Sequence, residues 1–231
     1  MAILSQNARE FCCAVPNYKI GFVLLMLALL TQISFSAETT KSDVEMSNIS
    51  GNMASPRRHA RLRHAAELSA KETTRIYDII STALAKGYAQ SGNNIASDYR
   101  NWKKYNLSPY ISPAHGNHYL NNYANEIAKH YGLFENAGVM PKGSVIAKDS
   151  FAVTNSDEIL LGPLFVMQKM QKGFNRVTRD WKYIQIQPNG KLLGETKGTG
   201  ATKVNYCIDC HNVMEHQDNL YFVPPKVRTK N

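Results

Sequence analysis

The chain has 231 residues, of which 43% are hydrophobic and 19% charged, and its formal net charge is +9. This length predicts one substantial folded domain or two small ones. No internal repeat or low-complexity tract is visible, which excludes a repeat or fibrous protein. The positive charge favours an ordinary basic soluble surface, with steering of an anionic partner or attraction to an anionic membrane face as the alternative.

The N-terminus carries an uncharged apolar run, Ile20 to Leu30, preceded by Arg9 and Lys19. Small residues follow it and are suitably spaced for cleavage after Ser36. Residues 1–37 are therefore predicted to be a secretory signal peptide, with an uncleaved N-terminal anchor as the alternative. The functional part would be periplasmic or secreted, or membrane-anchored and facing the periplasm.

Removal of residues 1–37 would leave 25 basic and 17 acidic residues, a charge of +8. Residues 38–60 are rich in Ser, Thr, Asn and Met without a periodic apolar face, which predicts a flexible linker. The folded domain is expected at 61–231. Apolar residues at helical spacing predict a first helix from Leu62 to Tyr88, ended by Gly87 and the polar cluster behind it.

The pattern then changes to one typical of β-strands. Tyr119–Tyr131 is expected to begin extended and to continue as a helix. The other predicted strand regions are Gly143–Val153, Ile159–Met170 with a break at Gly162–Pro163, Trp181–Gln187, and its hairpin partner Lys191–Lys197 behind the turn Pro188–Asn189–Gly190.

Two histidines, His115 and His118, lie at the end of the loop Ser108–Asn117, where three Pro and Gly residues interrupt regular structure. Histidines three residues apart can share a helix face and bind a metal ion. No cysteine or carboxylate accompanies them here. Surface or hydrogen-bonding histidines are therefore the favoured interpretation.

Near the C-terminus, Cys207 and Cys210 are followed at once by His211. This spacing is typical of a c-type haem site, where two cysteines form thioethers to the porphyrin and the histidine ligates the iron. A redox dithiol or half of a zinc site are the alternatives. The only other cysteines, Cys12 and Cys13, lie in the predicted signal peptide.

The position of this motif helps to distinguish among haem proteins. Mitochondrial-type electron carriers have it near the N-terminus and use a downstream methionine as the sixth ligand. Met214 follows His211 by only three residues and would lie on the same side of the iron. Helical-bundle cytochromes have the motif near the C-terminus, but the strand patterns here disfavour a bundle.

The chain from Tyr99 onward resembles the cytochrome P-460 family, which includes the cytochromes c-prime-beta. The resemblance depends on four features in a fixed order. They are Tyr99-Arg100-Asn101-Trp102, Gly143-Ser144-Val145-Ile146-Ala147-Lys148-Asp149, the spacing from Phe174 to Asp180-Trp181, and Cys207 to His211.

The resemblance implies an α+β fold, with a curved antiparallel β-sheet and flanking helices around one covalently bound haem c per chain. It also implies an open distal iron position and often a homodimer. In the hydroxylamine-oxidising members, the lysine that matches Lys148 bonds covalently to the porphyrin edge. Lys148 is thus a candidate for a haem cross-link, with an ordinary strand lysine as the alternative.

Those members also have a distal carboxylate for proton transfer, and alignment places Phe165 near that position, with Met167 close by. Neither side chain can accept a proton. Phenylalanine over the iron would instead resemble the c-prime-beta members, whose apolar pockets admit nitric oxide. Ordinary core packing is the alternative for both residues. The nearest carboxylates that could act as the distal proton acceptor instead are Asp149, Asp157 and Glu158.

The sequence therefore predicts an exported mono-haem cytochrome that meets small nitrogen-containing or diatomic molecules. As a haem oxidoreductase it would oxidise hydroxylamine to nitrogen oxides and pass electrons to a soluble acceptor such as another cytochrome c. The alternatives are nitric oxide binding without turnover, and simple electron transfer. Nucleic acid is not an expected partner of an exported haem protein.

Overall fold

A computed structural model of the chain describes residue 62 and residues 65–230. The predicted signal peptide at 1–37 and the predicted linker at 38–60 lie outside the described residues. In the described part of the chain, no helix is both long and apolar enough to cross a membrane.

The described residues form three α-helices and several 3-10 helices. The α-helices are α1 (Ala70–Ala89), α2 (Asn94–Asp98) and α3 (Asn205–Asn212). The 3-10 helices are Tyr99–Asn101, Pro113–His115, Glu126–Asn136, Arg176–Thr178, Ala201–Val204, Glu215–Gln217 and Pro225–Val227.

Helix α1 begins at a capping box rather than at Leu62 as predicted. The Ser69 hydroxyl accepts a hydrogen bond from the Glu72 amide at 3.3 Å, and the Glu72 carboxylate accepts one from the Ser69 amide at 2.8 Å. This reciprocal pair satisfies amides that the first turn leaves unpaired. The predicted end at Tyr88 lies within one residue of the observed end at Ala89, although Gly87 itself is inside the helix.

In the part of the chain that the structure describes, eight antiparallel strands form one open sheet. They are β1 (Lys103–Lys104), β2 (Tyr110–Ser112), β3 (His118–Ala124), β4 (Val145–Val153), β5 (Ile159–Leu161), β6 (Leu164–Lys169), β7 (Trp181–Ile186) and β8 (Leu192–Glu195). The order is β1-β3-β4-β6-β7-β8, with β2 also on β3 and β5 also on β4. The predicted α+β class with an antiparallel sheet is confirmed.

The predicted interruption of the second apolar stretch is confirmed at Gly162, which separates β5 from β6. A Cβ atom on Gly162 would lie 2.3 Å from the Ser150 hydroxyl of β4. Only glycine permits this close approach. The Trp181 hairpin is also confirmed, since β7 pairs directly with β8.

The two faces of the sheet have separate roles, because successive side chains of a strand point to opposite sides. From β4, Ala147 and Phe151 pack in the core that contains α1. Ile146 and Lys148 of the same strand instead line a cavity on the other face. Every residue of β4 is buried. The central strand therefore separates a helix-covered core from the cavity.

Candidate haem site

The cavity has a volume of about 250 Å³ and lies between the sheet, the start of the β2–β3 connection and helix α3. Most of its walls are apolar or aromatic. Predicted site residues from all parts of the sequence meet there, namely Lys148, Phe165, Met167, Cys207, Cys210 and His211. The structure thus brings together the candidate residues for haem attachment, the cross-link and the distal pocket.

The C-terminal motif lies on helix α3, which places the side chains of Cys207, Cys210 and His211 along one short stretch of backbone. Cys207 is half-buried and Cys210 is exposed, and the two are not joined by a disulfide. Loss of hydration raises the pKa of the Cys207 thiol to about 12. Both thiols remain available for bonds to a group in the cavity.

His211 is held in one orientation by its neighbours. Its Nδ1 atom lies 2.7 Å from the carbonyl oxygen of Asn219, and its ring lies between those of Tyr183 and Tyr221, with both centroid distances 5.2 Å. A carbonyl oxygen can only accept, so Nδ1 carries the proton and Nε2 has a free lone pair. Burial, together with the Lys148 ammonium, lowers the pKa of His211 to about 3. The imidazole is therefore neutral and could serve as a metal ligand through Nε2.

The Asn219 carbonyl is positioned by what we term the Asp218 clamp, formed by Lys169, Trp181 and the amide of Met140. The Lys169 ammonium lies 2.6 Å from Asp218 Oδ1, and the Met140 amide donates to Oδ2 at 2.9 Å. The Trp181 indole donates to the Asp218 carbonyl at 2.8 Å.

The clamp holds a backbone conformation that non-glycine residues seldom adopt. Asp218 and Asn219 have φ values of 54° and 64°, in the left-handed region. This reversal turns the Asn219 carbonyl toward His211.

Lys148 lies in the cavity wall opposite Phe165 in the β4–β6 register. Its ammonium forms no hydrogen bond or ion pair with any other side chain in the described part of the chain. Burial lowers the pKa of Lys148 to about 8. The nearby Cys210 side chain has the opposite, smaller effect and raises this pKa. This lowered pKa makes the uncharged amine of Lys148 easier to reach than that of an exposed lysine.

Phe165 and Met167 alternate with core residues on β6 and are 8% and 6% exposed. Both line the cavity. None of the described residues lining the cavity is Asp or Glu. Asp149 lies among tyrosines on the opposite face of the sheet, and Asp157 and Glu158 are exposed outside the cavity. The carboxylates considered as substitutes for a distal base are therefore absent from these walls.

The family model described as cytochrome P460 matches residues 96–222, more than half of the chain. The chain belongs to the cytochrome P460 family. Membership implies a cytochrome with a haem cofactor. A search of curated proteins finds no match.

The cavity residues fit the haem that the cytochrome P460 family implies. Cys207 and Cys210 have the spacing for two thioethers, and His211 presents a neutral nitrogen next to them. The wide apolar and aromatic walls suit the porphyrin faces. These three residues could hold the cofactor from one short helix.

The alternative chemistries of a Cys-x-x-Cys pair fit less well. Within residues 65–230, no group of three or more His, Cys, Asp or Glu side chains could hold a metal ion, whereas a structural zinc site needs four ligands. Redox dithiols lower the pKa of one thiol, and here the pKa of Cys207 is raised.

The sequence interpretation missed His115 as a cavity residue. We expected a surface or hydrogen-bonding histidine. His115 does form a hydrogen bond, to Ser112, but it is buried and lines the same cavity as Lys148 and His211. Met214, by contrast, does not line the cavity.

Proposed function

We propose that this chain is an exported mono-haem c-type cytochrome with an open iron position for small nitrogen species. Cys207 and Cys210 would attach the haem, and His211 would ligate its iron. The observation that supports this best is the cavity that has the Cys-x-x-Cys-His helix on one side and apolar strand residues on the other.

The haem supplies an iron that can bind a small ligand and exchange electrons. The protein supplies the ligand geometry. The Asn219 carbonyl accepts the Nδ1 proton of His211, which fixes the ring and increases the basicity of Nε2. A more basic Nε2 would stabilise the oxidised form of a bound haem iron.

The second axial position is proposed to be open. Met214, the methionine nearest to the motif, does not line the cavity, and Ile146, Phe165 and Met167 present mainly apolar surface there. An apolar pocket favours small neutral molecules over water or charged ligands. Met167 is the one thioether in this wall that could compete for the iron.

Hydroxylamine is the substrate that we propose for turnover. Its conversion to nitric oxide releases three protons and three electrons, and the electrons would pass to a soluble acceptor such as another cytochrome c. The positive charge of the chain favours an acceptor with an acidic surface.

Gas binding without turnover is the second candidate. Phe165 and the lack of carboxylates among the described cavity residues favour nitric oxide or another diatomic ligand, which needs no proton acceptor. Simple electron transfer is the third candidate, and it would require an iron with two strong ligands.

One set of measurements tests the proposal. Wild-type protein should retain haem after denaturation, and Cys207→Ala combined with Cys210→Ala should lose it. The ferrous protein should bind carbon monoxide and nitric oxide with a change in absorption. If carbon monoxide and nitric oxide bind only to Met167→Leu, Met167 occupies the second coordination position of the iron in the wild-type protein. Normal holoprotein from the double cysteine variant would refute haem attachment at these cysteines.

The two leading functions differ in one assay. Hydroxylamine mixed with the holoprotein and oxidised cytochrome c should reduce the acceptor if the protein is an oxidoreductase. Ligand binding without acceptor reduction would leave gas binding as the function.

Two further expectations can be checked separately. Export predicts a mature N-terminus near residue 37 in periplasmic fractions. The predicted homodimer can be checked by light scattering.

A further inference from the structure

His115 occupies an unusual place for a histidine in this chain. It ends the 3-10 helix Pro113–His115, three residues before β3 begins at His118, and is only 9% exposed. Its ring lines the same cavity as His211 and Lys148. A buried imidazole in a cavity wall suggests a chemical role as well as a packing role.

The ring is held from two sides. Its Nδ1 atom lies 2.9 Å from the Ser112 hydroxyl, and its centroid lies 4.9 Å from that of Phe165. The backbone is held as well, because His118 Nδ1 donates to the His115 carbonyl at 2.8 Å. His115 is therefore oriented before any ligand enters, as a proton-transfer group must be.

The other titratable cavity residues are less suited to accept a proton. Burial raises the pKa values of Tyr110 and Tyr183, so both remain protonated near neutral pH. His211 is assigned to the iron, and Lys148 is a candidate for the cross-link. Imidazole is the side chain that ordinarily exchanges protons near neutral pH.

We infer that His115 accepts the proton from ligands that are deprotonated as they bind in this cavity. The inference deepens the proposed function and depends on it, since it requires haem in the cavity. During hydroxylamine oxidation, His115 would take up protons released from the substrate. It would thereby perform the task for which the described cavity walls contain no carboxylate.

Hydrogen cyanide provides a simple probe of this role. At neutral pH cyanide is present almost entirely as HCN, but it binds ferric haem as the anion. The H–C bond breaks, its electron pair stays on carbon to bond the iron, and the proton passes to His115. No electron is exchanged with an acceptor. Carbon monoxide binds ferrous haem without any proton transfer, so it reports on access and pocket shape alone.

The experiment compares association rates for both probes in stopped-flow measurements on holoprotein. His115→Ala and His115→Gln should slow cyanide association by about 10²- to 10⁴-fold, the usual contribution of a general base. Carbon monoxide association should be unchanged in both. The exposed His130, changed to Ala, is the matched control and should alter neither rate.

Three outcomes would overturn the inference. Unchanged cyanide association would show that His115 takes no proton, and an equal loss for both probes would show that it only shapes the pocket. Faster carbon monoxide association in both variants would identify His115 as a ligand that blocks the iron. A wild-type protein that fails to oxidise hydroxylamine would refute the proposed turnover but leave the cyanide comparison decisive.

Discussion

The ammonium of Lys169 lies 2.6 Å from the carboxylate of Asp218, and the Asp218 side chain is only 1% exposed. The pair joins strand β6 to the segment behind α3. Through the next residue, Asn219, it determines where the carbonyl that holds His211 lies. A buried ion pair thus supports the orientation of the proposed iron ligand.

Lys169→Met should destabilise the protein by about 3–5 kcal/mol, because it leaves the Asp218 carboxylate buried without its counter-charge. Urea unfolding of the holoprotein measures this loss. Lys182→Met is the control, since Lys182 forms a 2.6 Å pair with Glu195 that is partly exposed and should contribute less than about 1 kcal/mol. Similar small losses in both variants would show that the Lys169 pair is not structurally important.

Lys148 is expected to form a bond from Nζ to a porphyrin carbon. The bond replaces one hydrogen on nitrogen and one on carbon, so two protons and two electrons pass to an oxidant such as hydrogen peroxide. The placement of Lys148 in the cavity wall, without another side-chain partner among the described residues, supports this expectation.

The intact mass of the wild-type holoprotein should then be lower by two hydrogen atoms than that of an unlinked adduct. Proteolysis should release the β4 peptide and the α3 peptide joined through haem. In Lys148→Met only the α3 peptide should carry haem, whereas the exposed Lys142→Met should behave as wild type. A wild-type β4 peptide released free of haem would contradict the cross-link.

Much of the fold could be predicted because its signals are local. The strand at Trp181 and its partner are separated by Pro188-Asn189-Gly190, and the second apolar stretch breaks at Gly162. The start of α1 was misplaced because apolar spacing from Leu62 was given more weight than the capping residues Ser69 and Glu72. The capping residues, and not the longer apolar pattern, determine where α1 begins.

The site could be predicted only in part. Cys207, His211 and Lys148 belong to sequence motifs, and the structure places them in one cavity. His115 contacts Phe165, fifty residues later in the chain, and no local pattern encodes such a contact. The partner of His211 is a backbone carbonyl, which every residue type has, so Asn219 gave no signal.

Asp149 should make stability depend on pH. Its carboxylate is buried and accepts hydrogen bonds from Tyr77 at 2.5 Å, from Tyr99 at 3.1 Å and from Asn121 at 3.1 Å. Burial raises the pKa of Asp149, although these hydrogen bonds and Arg100 oppose the shift. The folded protein therefore holds this proton more tightly than the unfolded chain does.

A raised pKa means that stability is greatest below the unfolded value of about 3.9 and is lost as the pH rises through the folded value. Asp149→Asn cannot titrate. The unfolding free energy of wild type minus that of Asp149→Asn should therefore fall as the pH rises, in urea titrations from pH 3.5 upward. A difference that stays constant would show that the pKa of Asp149 is the same in both states.

Gly87 lies inside α1, where alanine would ordinarily be more favourable by about 1 kcal/mol. A Cβ atom at this position would lie only 2.0 Å from the carbonyl oxygen of Pro188, in the β7–β8 turn. Because that atom belongs to the backbone, Gly87→Ala should destabilise the protein by about 1–3 kcal/mol. Urea unfolding measures this, with the exposed Thr82→Ala expected to stay within about 0.5 kcal/mol of wild type. A more stable Gly87→Ala protein would show that α1 does not pack this closely on the turn.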